Sequence, residues 1–129
     1  MSLKPGDAIE LKVTPDPYVT VRYAGASGDF NPIHIDEQFA KAAGLPGRIL
    51  HGLWTMAQVA RAHTEAAGGP ERLRSLAVQF RGMGLLDEEI TISGTVRESR
   101  DGVAAVDSEA EQAGNRIIRN AVAETDVSG

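Results

Sequence analysis

The sequence predicts an α+β fold in which a long apolar helix lies on an antiparallel sheet. The stretch from Gly52 to about Ala67 is the longest helical candidate, and Gly68-Gly69-Pro70 ends it. Its first turns carry few polar residues, so we expect them to be buried. After this stretch the apolar period changes from helical to two, with turn residues between the alternating segments. One long helix followed by consecutive strands is typical of an α+β arrangement.

Short elements precede the long helix. Ala8–Val13 alternates enough to form a strand after an early turn. Thr20 can cap a short helix that runs towards Ser27. Asp36 is placed to cap a second short helix over Glu37–Ala43. The first half of the chain is therefore predicted to be helical and rich in loops.

Alternation and turn signals predict the strands that follow the long helix. Apolar and polar residues alternate around Leu76–Phe80 and most regularly over Ile90–Arg97. A hairpin turn at Asp101-Gly102 leads into Val103–Glu111, and a second turn leads into Arg116–Thr125. These patterns predict at least three antiparallel strands after the long helix.

Composition limits the function classes. The chain has 129 residues, 42% of them hydrophobic and 24% charged, which predicts one globular domain over residues 1–129. A net charge of −5 argues against nucleic acid or an anionic membrane as a partner. The absence of cysteine excludes disulfides, thiolate metal sites and a cysteine nucleophile. No apolar run resembles a signal peptide or a membrane span, so we expect a cytoplasmic protein.

The candidate catalytic residues lie in one short segment that is predicted to bend. Asp29, Asn31 and His34 place a carboxylate, an amide and an imidazole within six residues. Pro32 biases the residue before it towards an extended backbone, and Gly28 permits a tight approach before Asp29. The bend can turn Asp29 and His34 towards the same space, where they could position and activate one water molecule.

A structural reading of the same residues remains open. Asp29 and Asn31 both form side-chain-to-backbone turns readily. His34 lies between Ile33 and Ile35, so it could be a hydrogen-bonded histidine at the edge of the core.

A second feature lies at the start of the long helix. A loop leads into Gly52, in the first turn of the long helix, where the backbone N–H groups have no acceptor inside the helix. Without a Cβ at Gly52, a substrate carbonyl could approach these donors, as in an oxyanion hole. The alternative is plain helix-start chemistry, with Gly52 chosen for packing and His51 as a polar flank.

These features together resemble the hydratase motif of the MaoC-like, (R)-specific enoyl-CoA hydratases of the hotdog fold. The motif Ser-Gly-Asp-x-Asn-Pro-x-His-x-Asp, with an alanine a few residues on, is matched by Ser27, Gly28, Asp29, Asn31, Pro32, His34, Asp36 and Ala40, and His51-Gly52 follows. The resemblance implies a long central helix wrapped by a curved antiparallel sheet of about five strands, and a homodimer. It also implies syn hydration of a trans-2-enoyl thioester of coenzyme A or acyl carrier protein to the (3R)-hydroxyacyl thioester, or the reverse reaction, with no cofactor.

The resemblance also assigns roles. Asp29 and His34 would be the catalytic pair, Asn31 would orient their loop, and the N–H of Gly52 would bind the thioester carbonyl. Residues 81–89 depart from the family pattern, with two glycines and no proline, and we expect this turn to border the substrate channel or the dimer edge.

Other readings are a hotdog thioesterase and a non-catalytic subunit of a heteromeric hydratase. The positions of His34, His51 and His63 do not show close metal-ligand spacing, so no metal is predicted. His63 follows the polar Arg61 on the long helix and is expected to be exposed to solvent.

Overall fold

A five-stranded antiparallel sheet and a long helix that contacts all five strands make up most of the molecule. The computed structural model describes residues 3–128, so both predicted domain limits, residues 1 and 129, lie outside the described residues. The strands are β1 Ala8–Val13, β2 Leu73–Phe80, β3 Ile90–Arg100, β4 Val103–Gln112 and β5 Asn115–Asp126. They lie in the order β1-β3-β4-β5-β2. The predicted α+β class with about five strands is confirmed.

The helices are α1 Val19–Ser27, α2 Pro32–Ile35, α3 Glu37–Ala42 and α4 Gly52–Ala67, and a 3-10 turn covers Pro70–Arg72. The Asp36 side chain accepts a hydrogen bond of 3.0 Å from the Phe39 N–H, so the predicted cap of α3 is confirmed. The long helix has the bounds that its composition predicts. None of the helices in the described part of the chain is long and apolar enough to cross a membrane.

The predicted cap of the first helix was wrong. Helix α1 begins at Val19, and Thr20 is buried in its first turn. The turn into this helix is made by Asp16, whose side chain accepts from the Tyr18 N–H at 2.7 Å and whose carbonyl accepts from the Val19 N–H at 3.2 Å. The stabilising polar group therefore lies one turn earlier than the sequence pattern indicated.

The tight turns between strands follow from left-handed residues. Asp101 and Gly102 have φ of 55° and 77°, as a two-residue hairpin with a type I′ turn requires, and this predicted turn is confirmed. Ala113 and Gly114, with φ of 51° and 80°, form the corresponding turn between β4 and β5. The Asp101-Gly102 turn pairs Arg100 with Val103, and a register shift between Val96 and Glu98 then brings Ile92 opposite Ala110.

One face of α4 packs on the sheet, and this face includes a histidine. Thr55, Val59, Ala62 and His63 are buried at helical spacing, and His63 is only 1% exposed. The prediction of an exposed His63 was therefore wrong: it lies four residues after Val59, on the same face of the helix. Its Nε2 is 2.8 Å from the Ser108 hydroxyl, and burial lowers its pKa from 6.5 to about 4.

The start of α4 is less buried than its composition predicts. Leu53 is 62% exposed and Ala57 is also exposed, whereas Thr55 is buried. The expectation that the first turns are buried was wrong for this outer face. The reason is that the sheet covers one side of the helix only, so apolar residues on the other side remain at the surface.

Candidate active site

The bend predicted from glycine and proline contains a one-turn helix. Gly28 ends α1 with a left-handed φ of 80°. Asn31 then adopts an extended conformation, as predicted for the residue before a proline, and its side chain accepts from the Ile33 N–H at 3.2 Å. Asn31 is thus the N-cap of α2, the helix that carries His34. The sequence pattern indicated the bend but not this helical turn.

His34 is held in one tautomer by a backbone carbonyl. It is 8% exposed, and its Nδ1 lies 2.8 Å from the Ile49 carbonyl oxygen. Because a carbonyl only accepts, Nδ1 carries the proton in the neutral ring and Nε2 presents a lone pair. The backbone hydrogen bond from the Ile49 N–H to the Ile33 carbonyl, at 3.1 Å, keeps the two loops in this register.

Asp29 faces the free nitrogen of this histidine. Its Oδ2 lies 4.0 Å from His34 Nε2, which is too long for a direct hydrogen bond. This gap suits a water oxygen that bridges the two groups. The Asp29 side chain is 53% exposed, and its Oδ1 accepts from the Asn31 N–H at 3.2 Å. The structure therefore brings Asp29 and His34 together, with Asn31 supporting both.

His51 belongs to the same cluster. It is 3% exposed, so the reading of His51 as a polar flank was wrong. Its ring stacks on His34 with 3.8 Å between ring centroids and 22° between planes, and the Tyr23 ring lies 4.7 Å away. Its Nε2 is 3.0 Å from the Asp29 carbonyl oxygen. A signal for this burial was present in the sequence, because Ile49-Leu50 precedes His51 directly.

A cavity of about 220 Å³ runs from His34 into the protein. Most of its lining is apolar; the lining residues are His34, Ile49, Leu50, Gly52, Thr55, Phe80, Gly82, Met83, Gly84, Ile117 and Ile118. Gly52 is the first residue of α4, so its N–H has no acceptor within the helix. A Cβ at Gly52 would lie 3.2 Å from the Phe80 ring, so glycine keeps this wall close-packed.

The turn over residues 81–89 forms one wall of the cavity, as its position in the sequence predicts. Gly82, Met83 and Gly84 all line it. The Leu50 N–H donates to the Gly84 carbonyl at 2.8 Å. The side chain of the buried Gln112 accepts from the Leu85 N–H at 2.7 Å. Sequence reasoning did not identify Gln112, since its role depends on two segments that meet only in the folded chain.

Asp29, His34 and His51 also form a compact set of potential metal ligands, with one donor atom of each within 4.8 Å of the others. The ring stack opposes chelation, because the in-plane lone pairs of two nearly parallel imidazoles do not converge on one point. One nitrogen of each ring is already occupied by a backbone carbonyl. We therefore assign no metal to this cluster.

Comparison with known proteins places this chain in a family. The model of the MaoC like domain matches residues 3–118, and the chain belongs to this family of hydratases and dehydratases. The fatty acid synthase subunit beta of Aspergillus oryzae is 47% identical over 73 residues, which are 54% of this chain and 4% of that protein. The peroxisomal enoyl-CoA hydratase 2 of Arabidopsis thaliana is 41% identical over 56 residues, 42% of this chain and 18% of that protein. The chain thus spans a small part of these relatives.

Solved structures agree on the fold. The (R)-hydratase from A. caviae involved in PHA biosynthesis superimposes with a TM-score of 0.89 at 20% identity, covering 99% of each chain. The hotdog fold that the resemblance implied is confirmed.

Proposed function

We propose that this protein adds water to a trans-2-enoyl thioester to give the (3R)-hydroxyacyl thioester, and catalyses the reverse dehydration. The observation that carries the proposal is the free Nε2 of His34, 4.0 Å from an Asp29 carboxylate oxygen. The same histidine lines an apolar cavity that also reaches the first residue of α4, Gly52. A base, a carboxylate and a separate anion-stabilising donor are what conjugate addition of water requires.

In the proposed reaction, the water lies between Asp29 and His34. One of its protons moves to His34 Nε2 while its oxygen bonds to C3 of the alkene. The electron pair of the double bond shifts towards the thioester, which becomes an enolate. The N–H of Gly52 donates to the enolate oxygen, and the proton returns from the pair to C2. The Asp29 carboxylate orients the water and offsets the positive charge of the imidazolium.

The cavity volume supports a short acyl chain. About 220 Å³ is below the 300–1,000 Å³ of typical ligand pockets, so we expect a short acyl chain to fit better than a long one. The carrier could be coenzyme A or acyl carrier protein, since the relatives include both a hydratase named for coenzyme A and a fatty acid synthase subunit.

We propose a homodimer as the working assembly. Strand β2 lies at an edge of the sheet, where its outer N–H and C=O groups have no strand partner within the described chain. Leu53, Phe80 and Met83 expose apolar surface beside the cavity. A second copy would cover both features, and sedimentation equilibrium tests this: a monomer at assay concentrations contradicts it. The single domain and the cytoplasmic location remain predictions.

The test uses purified protein and crotonyl-coenzyme A. We expect the enone absorbance to fall with the parent protein, and kcat to drop about 10²- to 10⁴-fold in Asp29→Asn and His34→Ala. Asp36→Asn is the matched control, because it makes the same substitution at a nearby capping residue outside the cavity. Undiminished turnover in the first two variants refutes the roles of Asp29 and His34. Release of free thiol as the first product would instead identify a thioesterase.

A further inference from the structure

His51 contacts both proposed catalytic residues from one buried position. Its Nε2 lies 3.0 Å from the backbone oxygen of Asp29, and its ring stacks at 3.8 Å on that of His34. We propose that His51 is a positioning residue that sets the spacing between these two groups, an inference that rests on the proposed hydration.

The hydrogen bond defines the tautomer of His51. A carbonyl oxygen only accepts, so Nε2 donates to Asp29 and the neutral ring keeps its lone pair on Nδ1. This Nδ1 is buried and has no hydrogen-bond partner within the described residues. His34 holds the opposite tautomer, with its proton on Nδ1. Each ring of the stack is therefore tied by one N–H to a carbonyl of the other chain segment.

His51 links Asp29 itself to a second segment, which the hydrogen bonds of Ile49 to Ile33 and His34 otherwise join only to α2. The remaining hydrogen bonds of Asp29 reach Ser27 at 3.1 Å and the Asn31 N–H at 3.2 Å, both within its own loop. His51 comes from the start of α4, 22 positions after Asp29. It thus ties the carboxylate-bearing loop to the helix whose first residue, Gly52, lines the cavity. A displacement of about 1 Å at such a site costs on the order of 10²-fold in rate.

Two variants of His51 separate its two contacts. His51→Phe keeps a ring for the stack but removes the donor, and His51→Gln, whose amide nitrogen reaches the position of Nε2, keeps a donor for the Asp29 carbonyl but removes the ring. We expect each to lower kcat roughly 10- to 100-fold while KM for crotonyl-coenzyme A changes little, since substrate contacts remain. His63→Asn is the matched control: it removes a buried, hydrogen-bonded histidine from the same helix, twelve residues or about 18 Å further on.

We expect His63→Asn to unfold more easily and yet keep the parent kcat. Parent-like kcat in both His51 variants overturns the proposal, as does an equal loss of kcat in His63→Asn.

A spectroscopic measurement on the same proteins decides the question independently of turnover. In uniformly ¹⁵N-labelled parent protein, neutral His51 should show the Nε2–H tautomer and His34 the Nδ1–H tautomer. In His51→Phe, the ¹⁵N chemical shifts of the His34 ring and of the Asp29 amide should differ from those of the parent. If the parent hydrates no thioester, the proposed function fails alone and these spectra still test the positioning. An Nδ1–H tautomer at His51, or unchanged His34 and Asp29 signals, overturns the inference.

Discussion

Replacing His63 with asparagine should remove a pH dependence from the stability of the protein. His63 is packed between α4 and the sheet, and burial lowers its pKa from 6.5 to about 4. Its Nε2 is 2.8 Å from the Ser108 hydroxyl. The His63→Asn side chain does not titrate, and it is too short to reach the Ser108 hydroxyl, so a Ser108→Ala variant is needed to account for the lost contact.

The sign follows from where the proton binds. Between pH 6.5 and about 4 the unfolded chain protonates His63 while the folded chain does not. The free energy of unfolding therefore rises with pH through this window. The stabilisation that neutral His63 contributes is lost as the pH falls. The full difference is about 3 kcal/mol below pH 4, and roughly 2 kcal/mol of it appears between pH 7 and pH 5.

Urea unfolding at pH 7 and pH 5, at one protein concentration, measures this difference. The parent should lose about 2 kcal/mol more than His63→Asn between the two pH values. Ser108→Ala keeps the titrating ring and should retain the pH dependence of the parent. An equal loss in the parent and His63→Asn would refute the reasoning, because it would mean that His63 does not resist protonation in the folded state.

Three further outcomes are expected. Asp36→Ala should lower the free energy of unfolding by about 1 kcal/mol in urea, through loss of the bond to the Phe39 N–H, and Asp36→Asn should restore most of it. Asn31→Ala should lower kcat about tenfold by removing the cap of α2, whereas Asn31→Asp, which keeps an acceptor, should lose less. Gly82→Val adds methyl groups to the cavity wall, where a Cβ would already lie 3.4 Å from Ile117, and should lower kcat/KM for octenoyl-coenzyme A more than for crotonyl-coenzyme A.

Local signals account for the parts of the fold that the sequence predicted well. Asp101 and Gly102 adopt left-handed conformations that few other residue types accept, so their turn is readable without any tertiary information. The spacing of apolar residues predicts the strand Ala8–Val13 and the helix Gly52–Ala67, and glycine and proline residues mark where the helix ends. The Asp36 cap depends on a bond only three residues away.

The errors concern contacts between distant segments. The neighbouring Arg61 favoured an exposed His63, but the i, i+4 spacing from Val59 places His63 against the sheet. Its hydrogen-bond partner, Ser108, lies 45 positions away in the sequence. The stack of His34 on His51 likewise forms only when two loops meet. Sequence patterns predicted that Asp29 and His34 face the same space, but the gap between them depends on that long-range packing.

Hydration of crotonyl-coenzyme A in deuterated water is the most direct test of the central claim. If one solvent molecule is activated between Asp29 and His34, oxygen and deuterium both arrive from that side of the alkene. The product should then be the (3R)-hydroxy thioester with deuterium added to C2 on the same face, as read from its proton coupling constants. Addition to opposite faces, or deuterium distributed over both positions at C2, would contradict the account.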